Sequence, residues 1–139
     1  MCFGASAANG GSSPTEMIPT ISIIDDDESV REAAKSLVRS LGYAAATFSS
    51  AGEYLRSDSV WQSSCLITDL QMPEMSGVEL QRRLIADGND TPIIFMTADS
   101  DEKTCSRVLN AGAVGFLRKP FDAEFLVECL DKALGQKAA

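Results

Sequence analysis

The chain contains no histidine. That removes His-ligated metal sites, Ser-His and Cys-His catalysis, and any phosphohistidine carried by the chain itself. Its four cysteines, Cys2, Cys65, Cys105 and Cys129, lack CxxC spacing, which argues against a zinc ribbon or a thioredoxin-type redox motif. Cys65 and Cys129 sit among apolar residues and are expected as reduced core thiols, suiting a reducing compartment. No apolar run approaches the length of a membrane span. No Lys or Arg precedes Arg31 and no apolar h-region follows it, so a signal peptide is not expected. Nothing hydrophobic precedes Cys2 to make it a lipoprotein cysteine. These absences predict a cytoplasmic protein with no membrane partner. Basic residues are also scarce, 12 against 20 acidic, for a net charge of −8. Phosphate contacts need clustered Lys and Arg, so direct nucleic-acid binding by this chain is not expected.

The length, 139 residues with 45% hydrophobic content, suits one domain around one core. Residues 1–19 include "GASAANGGSSPTE" and are expected as a disordered N-terminal tail. Residues 20–135 form the expected domain, and 136–139 a short C-terminal tail. Within the domain the pattern alternates. "TISII" (20–24) reads as a buried strand. Val30, Ala34, Leu37, Val38 and Leu41 recur at helical spacing between Glu28 and Leu41, and Gly42 closes that helix. "YAAATF" (43–48) is a second strand, with Ser50 as cap of a short helix ending near Ser57. "CLIT" (65–68), "PIIFM" (92–96) and "GFLR" (115–118) are three more strands. Helices are predicted over 77–86, 101–110 and from Asp122 to about Leu134. Five strands alternating with five helices predict a mostly parallel sheet covered on both faces. Such sheets bind ligands beyond the carboxyl ends of their strands.

The polar residues at those ends are Asp25 and Asp26 after the first strand, Asp69 after the third, Thr97 after the fourth and Lys119 after the fifth. Each has an ordinary explanation alone: a helix cap, a turn, a satisfied hydroxyl, a solvated amine. Asp27 fits the cap or first-turn acid of the first long helix. The others together require several coincidences at one edge of one sheet. Three carboxylates there point instead to a site for a hard cation.

At these residues the chain resembles the receiver domain of bacterial two-component response regulators. "IIDDDESVR", "LITDLQMPEMSG", "PIIFMTA" and "AGAVGFLRKPF" match that family's motifs in order and spacing over about residues 20–135. The pattern is nearest the FixJ-like branch, whose receivers precede a LuxR-type DNA-binding helical domain in longer chains. Here the sequence ends at "GQKAA". Two expectations follow: partner binding as the whole output, or a DNA-binding portion beyond this segment. The resemblance implies a doubly wound, flavodoxin-like sheet of order 2-1-3-4-5.

The resemblance also implies roles. Asp69 matches the phosphoacceptor, taking a phosphoryl group from a sensor histidine kinase or histidine phosphotransfer protein. Asp25, Asp26, Asp69 and the backbone carbonyl of Gln71 match the ligands of Mg2+, with Mn2+ as the alternative. Thr97 matches the switch hydroxyl, Lys119 the site lysine and Phe116 the switch aromatic. Gln71 and Ala98 match positions that tune acyl-phosphate lifetime, and Lys119-Pro120 matches a cis peptide. The switch is expected to act on the face formed by the fourth helix, fifth strand and last helix, including a phosphorylation-dependent homodimer.

Spacing supports these roles. Adjacent strands lie about 4.8 Å apart, so Asp26 and Asp69 can share one cation; Lys119 lies two strands from Asp69, roughly 10 Å, a gap only a long side chain spans. Three alternatives fit the residues less well. An aspartate-nucleophile, Mg2+-dependent phosphatase needs an acid two residues after the nucleophile, where Gln71 stands. An FMN carrier of the same fold would meet phosphate repulsion from "DDDES". A non-phosphorylated pseudo-receiver does not require the intact set of Asp25, Asp26, Asp69, Thr97 and Lys119.

Overall fold

The computed structural model describes residues 18–98 and 102–138. Residues 1–17 of the expected tail, with Cys2, lie outside the described residues, as does Asp101, expected to open a helix. The elements are β1 (Thr20–Ile24), α1 (Glu28–Ser40), β2 (Ala44–Phe48), α2 (Ala51–Leu55), α3 (Ser59–Gln62), β3 (Cys65–Asp69), α4 (Gly77–Ala86), β4 (Ile93–Thr97), α5 (Glu102–Asn110), β5 (Gly115–Arg118) and α6 (Ala123–Ala138). The strands form one parallel sheet in the order β2-β1-β3-β4-β5, as expected.

Strand alternation divides the core. Ile21, Ile23, Ile67, Ile94 and Met96 meet Ala34 and Val38 of α1 and Leu126, Leu130 and Ala133 of α6. Ile24, Leu66 and Phe95 face the other way, onto Tyr54, Leu80, Leu84 and Val108 of the helices between β2 and β5. Each fully buried Leu or Ile side chain contributes roughly 1.5–3 kcal/mol. Both helix layers therefore pack on the sheet that carries the site. Asp27 caps α1, its Oδ1 accepting from Ser29 N at 2.9 Å. The chain leaves α1 through Gly42 at φ +94°, a left-handed position that glycine tolerates.

Several boundaries differ from expectation, most by one residue. The expected short helix appears as α2, ending at Leu55, and a further short helix, α3, follows it, giving six helices among the described residues rather than five. The Ser57 hydroxyl causes the break: it donates to Tyr54 O at 2.7 Å and accepts from Ser59 N at 3.2 Å, competing with the helical ladder. β4 begins at Ile93 and runs to Thr97, one residue later than expected at each end. Pro92 has no N–H to pair, and contributes its carbonyl to Leu66 N at 2.9 Å. Finally, α6 runs past Leu134 to Ala138, so residues 136–138, expected as a tail, continue its backbone. Gly135 does not stop it: among the described residues no left-handed residue or proline follows to turn the chain. No helix among the described residues is long and apolar enough to cross a membrane.

Candidate functional site: an acidic cluster at the sheet's carboxyl edge

Because β1 and β3 are neighbours, with Ile24 in register with Thr68, their terminal carboxylates meet. Ligand oxygens of Asp25, Asp26 and Asp69 all lie within 4.8 Å of one another. Asp25 is fully buried, Asp69 nearly so, and Asp26 is exposed. Lys119 reaches in from the end of β5. Its Nζ lies 2.9 Å from Asp69 Oδ2 and 2.8 Å from Asp25 Oδ2. The Lys119 amide donates to Thr97 O at 2.9 Å, anchoring the residue to the end of β4, and the Lys119-Pro120 peptide is cis, as expected.

Each carboxylate is oriented by backbone. Asp25 Oδ1 accepts from Asp27 N at 2.8 Å, and Asp69 Oδ1 from Gln71 N at 3.1 Å. Asp25 Oδ2 is different. It is buried and has no directed hydrogen-bond donor, although Lys119 Nζ lies 2.8 Å away. This oxygen has charge beside it and no directed donor. A small cation placed among the three carboxylates meets that need, and the all-oxygen donor set suits a hard divalent ion such as Mg2+. The ammonium of Lys119 already shows that the pocket accepts positive charge. Burial raises the Asp25 carboxyl above its ordinary range, against the opposing pull of Lys119. Burial also works against the Lys119 ammonium, but its contacts with Asp25 and Asp69 outweigh this and raise it. Both shifts record one situation: too many anions in a partly dry pocket for one cation to neutralise.

The remaining expected residues spread outward from this centre. Thr97 is buried at the end of β4, and Ala98 follows it in the open. Thr97 and the exposed Gln71 line a cavity of about 330 Å³ beside the cluster, with Ser76, Thr104 and Arg107. Phe116 is not at the acidic centre. It is half-buried, in register with Phe95 on β4, and packs with the cluster holding Phe95. Since Thr97 is two residues after Phe95, all three share one sheet face. Phe116 also lines a second cavity of about 530 Å³ with Leu109, Pro120 and Phe125, between α5, β5 and the start of α6.

Two contributors escaped the sequence reading. Gly77 was placed only as a helix start. A Cβ there would lie 2.6 Å from Asp69 O and 2.9 Å from Phe95 Cε1, so α4 presses directly on the phosphoacceptor candidate's backbone. No signal in the sequence marks that approach beyond a glycine at a helix N-terminus. Arg31 has no site role in the sequence reading, yet its Nη1 donates to Asp25 O at 2.7 Å.

The comparisons with known proteins agree with this architecture. Residues 21–131 match the family model described as the response regulator receiver domain. The response regulator protein TodT of Pseudomonas putida is 44% identical over 114 residues, 82% of this chain and 50% of its own length. The transcriptional regulatory protein FixJ of Azorhizobium caulinodans is 35% identical over 123 residues, 88% of this chain and 58% of its own. Among solved structures, the response regulator StyR superposes with a TM-score of 0.81 at 40% identity, covering 88% of this chain and 62% of that one. The structure titled FixJ-N gives 0.76 at 34% identity, covering 86% and 95%. The chain thus spans little more than half the length of the curated relatives it matches. It belongs to the family of response regulator receiver domains of two-component signalling systems.

Proposed function

We propose that this receiver takes a phosphoryl group onto Asp69 from a phosphohistidine on a sensor histidine kinase or a histidine phosphotransfer protein. The observation that carries the reading is Lys119 Nζ between Asp69 Oδ2 and Asp25 Oδ2, at 2.9 and 2.8 Å, at the carboxyl edge of the sheet. Having no histidine, the chain must receive the group from another molecule; a small acyl phosphate is a second donor of the same chemistry.

A carboxylate oxygen of Asp69 bonds to phosphorus in line as the imidazole N–P bond breaks; the imidazole keeps the bonding electron pair and later takes a proton. Such transfer has a loose transition state, so positioning and charge stabilisation supply most of the catalysis. Asp25, Asp26, Asp69 and the Gln71 carbonyl would hold Mg2+ or Mn2+, which when bound screens the acidic cluster and the incoming phosphoryl oxygens. Lys119 pairs with a phosphoryl oxygen as a point charge once Asp69 is esterified. The Gln71 amide, already on Asp69 Oδ1, holds the acceptor still. Thr97 then donates its hydroxyl to the phosphoryl group. Ala98 leaves water room to approach, while the Gln71 amide side chain orients or blocks it, setting the lifetime.

The output is a face rather than a second reaction. The exposed Glu102, Lys103, Arg107 and Arg118 border the cavity and helix beside Phe116, a mixed-charge set suited to a homodimer or docking partner. The acidic segment is not the nucleic-acid contact. Cys65 and Cys129 are buried thiols outside any disulfide, which fits the reducing cytoplasm. Incubation with acetyl phosphate and Mg2+, read by intact mass, tests the acceptor. One phosphoryl group should add to the wild type and none to Asp69→Asn; an equal gain in the variant places the acceptor elsewhere.

A further inference from the structure

The β1–α1 loop is closed from several sides. Asp25 N donates to Phe48 O at 3.1 Å, and Arg31 N to Asp27 O at 3.1 Å. Asp27 N donates to Asp25 Oδ1 at 2.8 Å. Arg31, half-buried on α1, reaches back with Nη1 to the Asp25 carbonyl at 2.7 Å. The amide, the carbonyl and one carboxylate oxygen of Asp25 are then all engaged. Only Oδ2 is left without a directed hydrogen bond, and it faces the acidic centre.

We infer that Arg31 is a positioning residue for divalent-cation binding. It fixes the peptide joining Asp25 to Asp26, and so keeps both carboxylates convergent on Asp69. A charged, planar donor on a carbonyl is short and directional, and it cannot be lost by deprotonation. The inference rests on the metal-binding reading above. It also has a sign that electrostatics alone does not share. A guanidinium beside the loop repels an incoming cation, so removing its charge should tighten binding if charge were all that mattered. Positioning predicts the reverse.

The probe is Mg2+ alone, titrated calorimetrically into wild type, Arg31→Met, Arg31→Lys and Asp26→Asn, with thermal unfolding of each without metal. Arg31→Met should bind Mg2+ about 10-fold more weakly, the loss typical when the support of a metal ligand is removed. Arg31→Lys should also weaken, because its ammonium keeps the charge but stops short of the carbonyl; metal-free unfolding of this variant should stay near wild type. Unchanged or tighter binding in Arg31→Met overturns the inference, as does wild-type affinity in Arg31→Lys, which alone decides the matter if the Met variant does not fold. A fall in metal-free stability with Mg2+ affinity intact also overturns it, leaving a purely structural arginine. If wild type binds no Mg2+, or Asp26→Asn binds it equally well, the metal reading itself fails and takes this inference with it.

Discussion

Lys119 Nζ sits 2.9 Å from Asp69 Oδ2, fifty residues away in sequence, and bridges the proposed acceptor carboxylate to buried Asp25. Lys119→Met leaves those carboxylates facing each other without a cation. Breaking a buried ion pair on one side costs ~3–5 kcal/mol, and the 16% side-chain exposure of Lys119 puts the expected loss at the low end. Mg2+ should then restore more stability to the variant than it adds to the wild type, because the ammonium no longer competes for the pocket. Urea denaturation with and without Mg2+ measures both effects; equal gains in the two proteins would count against the assignment.

Gly77→Ala tests how tightly α4 is fitted to the backbone of Asp69, the proposed acceptor. The new methyl would stand 2.6 Å from Asp69 O, 2.9 Å from Phe95 Cε1 and 3.0 Å from Leu70 Cα. Two of these neighbours are backbone and cannot swing aside. Overpacking of this kind costs about 1–3 kcal/mol. The same shift should slow phosphorylation of Asp69 by acetyl phosphate under conditions where the variant is fully folded. A variant with wild-type unfolding and wild-type rate would show that the loop yields freely.

These two residues mark where the sequence was legible and where it was not. Asp25, Asp69, Thr97 and Lys119 could be found because parallel strands place their carboxyl ends on one edge, so a strand boundary in the sequence is also a position in space. The caps at Asp27 and Ser50 were legible for a similar reason, since the hydrogen bond is local. Gly77 and Arg31 were not, because each acts on a partner fixed by packing: the β3 backbone for one and the β1–α1 turn for the other. The end of α2 and the separate start of α3 were hidden in the orientation of the Ser57 hydroxyl. The end of α6 was placed near Leu134, whereas the helix continues to Ala138.

Cys65 gives a pH prediction. Burial pushes its thiol up to about 12 from an ordinary 9.0. The unfolded chain therefore gives up this proton more readily than the folded one. The contribution is fully present below pH 9 and is lost as pH rises from 9 toward 12. Over three pH units that amounts to a few kcal/mol, taken as ~1.4 kcal/mol per unit. Cys65→Ala should be less stable than wild type at pH 8, having lost buried volume, and should close or reverse that gap by pH 11. Parallel stability profiles between those pH values would reject the assignment.

The last prediction concerns readout. Phe95, Thr97 and Phe116 lie on one sheet face, and Phe116 is only half-buried beside a cavity lined by Leu109 and Phe125. If Thr97 moves toward a phosphoryl group on Asp69, space opens beside β4 that the Phe116 ring can enter from the neighbouring strand. Fully burying a phenylalanine side chain is worth about 1.5–3 kcal/mol. A ring that starts half-buried gains part of this, enough to shift a two-state equilibrium several-fold or more. Withdrawal of the ring would reshape the α5–β5–α6 surface, where exposed Phe125 and the charges of Lys103, Arg107 and Arg118 are ready to meet a partner. Beryllofluoride with Mg2+ mimics the acyl phosphate without its turnover. Amide shifts should then spread from Asp69 to residues 102–118, and sedimentation should report self-association. Phe116→Ala should keep the shifts at Asp69 and lose those on α5. A response confined to the acidic cluster, with no change in sedimentation, would leave Phe116 as a strand aromatic with a single state and send the search for an output surface elsewhere.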